Sequence, residues 1–297
     1  MEVGSMSGLL PLIVIQGPTA SGKTRLAIEL AKRFNGEIIC ADSRTVYKYM
    51  DIGTAKPTPL ERKIVPHWGL DIVEPGTRFT AADFKEYAVT KIQEIRAREH
   101  VPFLVGGTGL YIDGVVFNYT FGSNANDVLR KEFDTYSIEE LQNYCIKNNI
   151  DIPENKNNKR YLIRAIEQKS EPLSVSSVPI DSSIIVGIAT EKDNLRERIQ
   201  QRTEQLFECN VVEESIKLGE MYGWDNEAMT GNIYRLVKSY LDDEQTLAEI
   251  KEKNTTLDWR LAKRQLTWMR RNPYIQWMPL DEAEHYLSNI LVATHKS

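Results

Sequence analysis

Gly17-Pro18-Thr19-Ala20-Ser21-Gly22-Lys23-Thr24 decides how this chain is read. Before it runs Leu9-Leu10-Pro11-Leu12-Ile13-Val14-Ile15-Gln16, a continuous apolar stretch of the kind a parallel strand covered on both faces requires. After it, Arg25 to Phe34 carries Leu26, Ala27, Leu30 and Phe34 at helical spacing. Asn35-Gly36 closes that helix with residues that tolerate left-handed geometry. The pattern G-x-x-x-x-G-K-[ST] between a strand and a helix predicts a P-loop. The expected fold is therefore α/β, a P-loop NTPase-like parallel sheet flanked by helices.

The chemistry follows from the residue types. Glycines let backbone N–H groups turn inward, and the helix N-terminus adds its positive dipole end. Lys23 supplies a cation for phosphate oxygens. The Thr24 hydroxyl is the candidate ligand for Mg²⁺, the expected cofactor. The alternative is a chance glycine-rich turn. The bare pattern arises in about one chain in a hundred, and the correct flanks make coincidence rarer. The loop implies a polyphosphate and does not say which.

A chain of 297 residues holds one large or two smaller domains. No apolar run is long enough to span a membrane. The apolar run near the N-terminus belongs to the predicted strand, so no secretory signal is read. Met1 to Ser5, ahead of Met6, reads as an added remnant or a frayed end. Cys40, Cys145 and Cys209 are scattered and lack metal spacing. They read as reduced thiols of a cytoplasmic protein, with no zinc site. The net charge is −5, so a nucleic-acid partner must meet a local basic surface.

Further along, Glu37 to Ala41 is the second predicted strand, and it delivers Asp42-Ser43 at its carboxyl end. Ligands of open α/β sheets bind at that edge, although an Asp-Ser pair also makes an ordinary cap. Tyr47 to Pro57 reads as a loop over the site, and His67 to Asp71 as a second irregular piece. Thr80 caps a helix through about Arg98, with Asp83 at the capping-box position. Val101 to Val105 is a strand that runs into Gly106-Gly107-Thr108-Gly109-Leu110-Tyr111, which places Thr108 beside Asp42. Asp42 is the only acid at a strand end near the loop. Paired carboxylates typical of motor ATPases are missing, which favours a small-molecule transferase.

From Asn118 to Ser183 the composition turns to Asn, Lys, Asp and Glu. Two short helical patterns, near Asp127–Phe133 and Ile138–Asn148, predict a helical insertion that ends near Arg160–Glu167, with the insertion set at 119–183 and a core over 1–118 and 184–297. Arg130, Lys159, Arg160 and Arg164 read as a solvated face or as contacts to a polyanion. Ser182 to Ala189 returns to the sheet, and a helix begins near Asp193 with Leu195, Ile199 and Leu206 as its apolar stripe. Arg202 projects within about 20° of that stripe. An inward arginine needs an anion, either a structural carboxylate or a bound phosphate.

Asp258 to Arg271 splits on a helical wheel. Leu257, Leu261, Ala262, Leu266, Trp268 and Met269 lie on one side, and Arg260, Lys263, Arg264, Arg270 and Arg271 on the other. Five cations against Asp258 give the piece a local charge of +4. The plain reading is a packed helix with a solvated face. The sharper one is contact with a phosphate backbone.

Taken together these motifs resemble the tRNA dimethylallyltransferase (isopentenyl-tRNA transferase) family, bacterial type, over nearly the whole chain. The resemblance rests on Gly17–Thr24, Asp42-Ser43 with Tyr47, Asp51-Ile52-Gly53-Thr54-Ala55-Lys56-Pro57, Pro66-His67 and Ala81-Ala82-Asp83-Phe84. Val105 to Tyr111 and Arg260 to Arg270 complete it.

It implies transfer of a dimethylallyl group from dimethylallyl diphosphate to N6 of the adenosine 3′ to a tRNA anticodon, by a monomer. It implies that Gly17, Pro18, Thr19, Ala20, Ser21, Gly22, Lys23, Thr24 and Arg202 hold the diphosphate. Asp42 matches the general base, and Thr108 joins it as a catalytic residue. The anticodon stem-loop would meet Asp42, Ser43, Arg44, Thr45, Thr108, Arg130, Arg160, Arg164, Arg264, Gln265 and Arg270.

The chain departs from the family pattern at several places. Asn157 or Asn158 stands where an acid is usual, and Tyr161 where an arginine falls. Asn232-Ile233-Tyr234-Arg235-Leu236 replaces a glycine-tyrosine segment, and Asn210 replaces a common glycine. An adenylate isopentenyltransferase, a small-molecule P-loop kinase and an inactive RNA-binding protein are the competing readings. The basic C-terminal face speaks against the first, and intact Lys23, Thr24, Asp42, Thr108 and Arg202 against the last.

Overall fold

Leu12 to Ile15 carry no polar side-chain atom and belong away from a sheet's solvent face, and Leu12–Gln16 is buried from end to end as strand β1, the Gln16 amide included. The computed structural model describes residues 9–121, 127–168, 175–180 and 182–294; Met1 to Ser5 fall outside them. The other strands are β2 (Gly36–Ala41), β3 (His67–Trp68), β4 (Val101–Gly106), β5 (Ser183–Ile188) and β6 (Gln276–Met278). They form one sheet in the order β3-β2-β4-β1-β5-β6, and every pairing is parallel. Gly106 registers with both Gln16 and Ala41, and Gln16 with Gly187. The carboxyl ends of four strands are therefore level. The residues that follow them, Gly17, Asp42 and Gly107 among them, emerge along one edge, where open α/β sheets bind ligands.

Helices α1 (Lys23–Arg33), α2 (Pro59–Ile64), α3 (Ala81–Ala97) and α4 (Gly109–Val116) accompany the first strands. The Thr80 side chain accepts from the Asp83 N–H, and the Asp83 carboxylate accepts from Thr80, so the capping box starts α3 as its sequence predicts. Leu26, Ala27, Leu30 and Ala31 of α1 pack with Ile13, Ile15, Ile38 and Val105 on one sheet face. Each leucine, isoleucine or valine among them contributes about 1.5–3 kcal/mol when fully buried. Phe84 of α3 stacks on Tyr111 of α4, with ring centroids 4.2 Å apart.

Helices α5 (Asp127–Phe133), α6 (Ile138–Lys147) and α7 (Lys159–Glu167) belong to a separate compact unit, Phe117–Val178. Its core is Phe133, Leu141, Cys145, Leu162, Ile163 and Ile166. Ser137 and Glu140 make the capping box of α6. Beyond β5 come α8 (Lys192–Glu208), α9 (Val211–Tyr222), a 3₁₀ turn at Glu227–Thr230, α10 (Asn232–Leu241), α11 (Leu247–Met269) and α12 (Leu280–Thr294).

Two expectations need correction. His67-Trp68 is not irregular: it is the edge strand β3, with Ile38 opposite His67 and Ile39 opposite Trp68. A two-residue strand has no periodicity to read, and its pairing with β2 alone defines it. The separate unit runs from Phe117 to Val178, somewhat N-terminal of the expected 119–183. Asn210 has φ 66° ahead of α9, a left-handed position that asparagine tolerates and where glycine is the usual solution. Cys40 and Cys145 are buried free thiols, and Cys209 is an exposed one. No helix among the described residues is long and apolar enough to cross a membrane.

Candidate active site

The Gly17–Thr24 loop joins β1 to α1, and Gly22 makes the turn with φ 89°, a value that favours a residue without Cβ. Lys23 opens α1, and its Nζ donates to the Pro18 carbonyl at 3.2 Å. Burial, and then the charge of Arg202, lower the Lys23 pKa to about 8, while Asp42 partly offsets this. The Thr19 N–H donates to Gln265 Oε1 on α11 at 2.9 Å. The Arg198 guanidinium donates to the Ser21 carbonyl at 3.4 Å, and Ala20 packs against Leu195, Ile199 and Ala262 of α8 and α11. The loop is thus held from outside by two helices remote from it in sequence. The buried Ser21 Oγ has no hydrogen-bond partner.

A pocket of about 360 Å³ opens over this loop at the sheet edge. Thr19, Lys23, Thr24 and Arg202 line it together with Asp42, Ser43 and Thr108, and so do Gly53, Thr54 and Tyr234. Asp258, Arg264 and Gln265 of α11 also reach it. Arg202 does project inward, as the α8 stripe requires. Its Nε is buried with no hydrogen-bond partner. The Asp258 carboxylate lies within electrostatic reach and Arg202 lowers its pKa, but burial outweighs this and raises it overall. The structural-carboxylate reading of Arg202 is therefore only partly met.

Asp42 both caps a turn and borders the pocket. Its Oδ1 accepts the Arg44 N–H at 2.8 Å, a local turn contact, and the side chain lines the pocket. Thr108 Oγ1 accepts the Ser43 N–H at 3.1 Å, which ties the ends of β2 and β4 together. Thr45 Oγ1 donates to the Asp42 carbonyl at 3.3 Å. The Arg44 guanidinium reaches the Ala228 carbonyl at 3.4 Å and Thr230 Oγ1 at 3.2 Å. Its cation thus braces the loop after β2 against the 3₁₀ turn.

The remaining expected contacts separate. Arg264 lines the pocket, and Gln265 holds Thr19. Arg270 ends α11 and is exposed. Arg260, Lys263, Arg264 and Arg271 lie together on an open surface of α11 with Thr267 and Trp268. In the other unit, Arg130 makes a two-pronged pair with Glu167 at 2.7 and 2.9 Å, and Arg164 joins the same carboxylate at 3.2 Å. Lys159 Nζ donates to the Asp134 carbonyl at 2.6 Å, whereas Arg160 is exposed at the start of α7. Among the described residues no group of three or more His, Cys, Asp or Glu side chains is gathered to hold a metal ion. Thr24 is among the residues that line the pocket.

Sequence reasoning missed several polar residues here. Asn254 is buried on the packed side of α11 and donates to Thr203 Oγ1 at 3.0 Å. An asparagine within an apolar stripe was its available signal. Asn232 donates to Asp258 at 3.5 Å. On α4, Asp113 accepts the Trp268 indole N–H at 2.6 Å. Burial pushes the Asp113 carboxyl up to about 6, against the Trp268 bond.

The family model described as IPP transferase matches residues 45–272. The chain is 40% identical to a tRNA dimethylallyltransferase of Acetivibrio thermocellus, over 91% of this chain and 92% of that protein. It is similar to the crystal structure of the full-length tRNA isopentenylpyrophosphate transferase of Bacillus halodurans, with a TM-score of 0.73 and 34% identity, covering 96% of this chain and 98% of that one. A eukaryotic dimethylallyltransferase acting on tRNA shares the fold at a TM-score of 0.74 and 22% identity, covering 91% of this chain and 74% of that one.

Proposed function

Because the chain belongs to the IPP transferase family, we propose that it moves a dimethylallyl group from dimethylallyl diphosphate to N6 of the adenosine 3′ to the anticodon of tRNA. The observation that carries this reading is the pairing of Lys23 with Arg202. Two cations share one pocket, and the Arg202 Nε is buried with no partner. Like charges held together in this way call for a polyanion, and a diphosphate supplies one.

The donor's diphosphate would lie on the Gly17–Thr24 loop, against its N–H groups, Lys23 and Arg202. As the C1–O bond breaks, charge grows on the departing oxygen, and these donors stabilise it without reorganising. Mg²⁺ suits the Thr24 hydroxyl, since this ion is commonly held by one or two protein oxygens together with substrate phosphates. Bound there, it would add positive charge opposite the leaving group.

The target adenine would leave its stack and enter from the Asp42 side, because its N6 is otherwise shielded. The N6 lone pair forms the new C–N bond to C1 while diphosphate leaves, and the N6 proton passes to Asp42. Asp42 Oδ1 already accepts Arg44 N–H, which orients the carboxylate and leaves Oδ2 for the proton. Thr108 holds the Ser43 amide beside it. The exposed cations of α11 and Arg160 suit phosphates of the stem-loop.

The test is transfer of labelled dimethylallyl diphosphate, with Mg²⁺, into an unmodified anticodon stem-loop, with AMP and ATP as competing acceptors. Label in the RNA, lost when the target adenine is replaced, is the expected result. Label in AMP or ATP would move the chain to the adenylate-modifying class.

A further inference from the structure

Tyr47 to Pro57 forms no helix or extended strand; Tyr47 makes an isolated parallel bridge with Val73, and Tyr49 and Ala55 adopt positive φ of 64° and 48°. Its Gly53, Thr54 and Ala55 line the same pocket as Thr19, Lys23 and Thr24 of the Gly17–Thr24 loop. One end is tied by Lys56, whose buried Nζ bonds the Tyr47 carbonyl, Asp51 and Asp71 at 2.6, 2.8 and 2.6 Å. The pocket-lining part is tied differently. Three successive amides, those of Asp51, Ile52 and Gly53, donate to the Glu214 carboxylate of α9 at 2.9, 2.7 and 2.8 Å.

An anion receiving three consecutive backbone N–H groups is a strong, charge-assisted arrangement. Tyr234 of α10 donates its hydroxyl to the same carboxylate at 2.9 Å. Burial, then Glu214, raise the Tyr234 pKa, so the phenol stays a donor. The approach is close. A Cβ on Gly53 would lie 2.6 Å from the Tyr234 ring carbon and hydroxyl. The same α9–α10 segment also grips the Asp42 loop through Arg44, whose own N–H orients Asp42. A glutamate in the first turns of a helix ordinarily faces water or the helix dipole. This one instead fixes a wall of the pocket.

We propose that Glu214, with Tyr234 as its partner, is a positioning residue that holds the Asp51–Ala55 wall on the acceptor side of the pocket, so that the target base meets Asp42 in a productive orientation. The proposal rests on the prenyl-transfer reading above. It assigns Glu214 no contact with either substrate. Glu214→Ala removes the anchor. Glu214→Gln keeps its size but turns an N–H group toward the Gly53 amide. Tyr234→Phe removes the supporting hydroxyl.

Three readouts are taken on the full chain: transfer kinetics on the anticodon stem-loop, pyrophosphate binding by calorimetry, and backbone hydrogen exchange. A small geometric error at a reacting centre lowers turnover by up to about 100-fold. Glu214→Ala should lower kcat by about 10- to 100-fold, with Glu214→Gln and Tyr234→Phe between it and the parent. Pyrophosphate affinity should stay within about twofold, because the Gly17–Thr24 side is untouched. Exchange in the 47–57 peptide should speed up by about tenfold or more, while the 23–33 peptide of α1 keeps its protection.

A kcat within about twofold of the parent for all three variants would overturn the proposal. Parallel loss of pyrophosphate affinity would also overturn it, since that marks general damage to the pocket. If Glu214→Ala does not fold, Glu214→Gln and Tyr234→Phe carry the same test. If the parent transfers no prenyl group to RNA while the variants still free the 47–57 peptide, the function assigned above fails and the anchoring role of Glu214 survives.

Discussion

Arg202 on α8 and Arg130 on α5 are the same side chain in opposite settings. Arg130 meets a carboxylate that is nearly inaccessible: the Glu167 side chain is 2% exposed, and Arg164 supports it from the same side. That charge is settled within the helical unit and holds α5 to α7. Arg202 turns toward a pocket that also contains Lys23, and its buried Nε has no partner. A folded chain does not keep a desolvated cation in this state for stability. The comparison separates a cation matched by a buried carboxylate from one that faces a pocket beside a second cation, and sequence spacing alone does not distinguish them.

The strongest way to break this picture is at the reacting centre. Asp42→Ala should reduce kcat by about 10³-fold, within the range of general-base loss, with RNA affinity almost unchanged. Single-turnover transfer and filter binding on one preparation separate the two. An equal loss in both would show that Asp42 mainly grips RNA, as its bond to the Arg44 amide allows.

Exchanging the two arginines tests the comparison directly. Arg202→Met should weaken dimethylallyl diphosphate binding by about 10- to 100-fold and leave the unliganded protein at least as stable in chemical unfolding. Arg130→Met should do the reverse. It leaves Glu167 with Arg164 as its remaining arginine, and should destabilise the helical unit by about 1–3 kcal/mol while donor binding stays unchanged. If Arg202→Met destabilises as strongly, Asp258 is its structural partner after all.

Lys23 sharpens the contrast through pH. Its pKa is lowered to about 8 by burial first and Arg202 second. The lysine is charged below that value and neutral above it. Donor affinity should therefore fall as pH rises through about 8, because the donor's terminal phosphate is already ionised there. Stability without ligand should move the other way. The unfolded lysine keeps its proton up to its ordinary value of about 10.4, so stability rises between about 8 and that value. Lys23→Arg should flatten both curves, since the guanidinium does not titrate in this range. Calorimetry across pH 7 to 10 reads the first effect and thermal unfolding the second.

What was legible in the sequence was the part encoded locally. The apolar run of β1, the glycine loop, the Thr80–Asp83 box and the α8 stripe that turns Arg202 inward each lie within one element, and the structure contains all of them. Long-range polar contacts left no such trace. Gln265 sits among basic residues and looks like one more RNA contact, yet its Oε1 holds the Thr19 amide 246 residues away. Arg44 reads as base-facing and bonds backbone across 184 residues. Glu214 looks like an ordinary acid at a helix start, and only the docked 51–53 loop reveals its use. Strands β3 and β6, of two and three residues, are too short to carry a period.

The smallest expected effect concerns the cations that are neither paired nor in the depth of the pocket. Arg264 and Arg270 are both exposed on the last turns of α11, but only Arg264 lines the pocket. If both touch RNA phosphates, each charge removed should reduce the slope of log affinity against log salt by about 0.7–0.9. Arg270→Gln should do this with kcat intact, because its contact fixes register and not chemistry. Arg264→Gln should produce the same slope change together with a modest loss of kcat, because its guanidinium also borders the reacting groups. Titrations of the stem-loop over a range of salt concentrations measure both. An unchanged slope in the two variants would remove α11 from the RNA interface. The RNA would then have to be met elsewhere, with exposed Arg160 the next cation to replace.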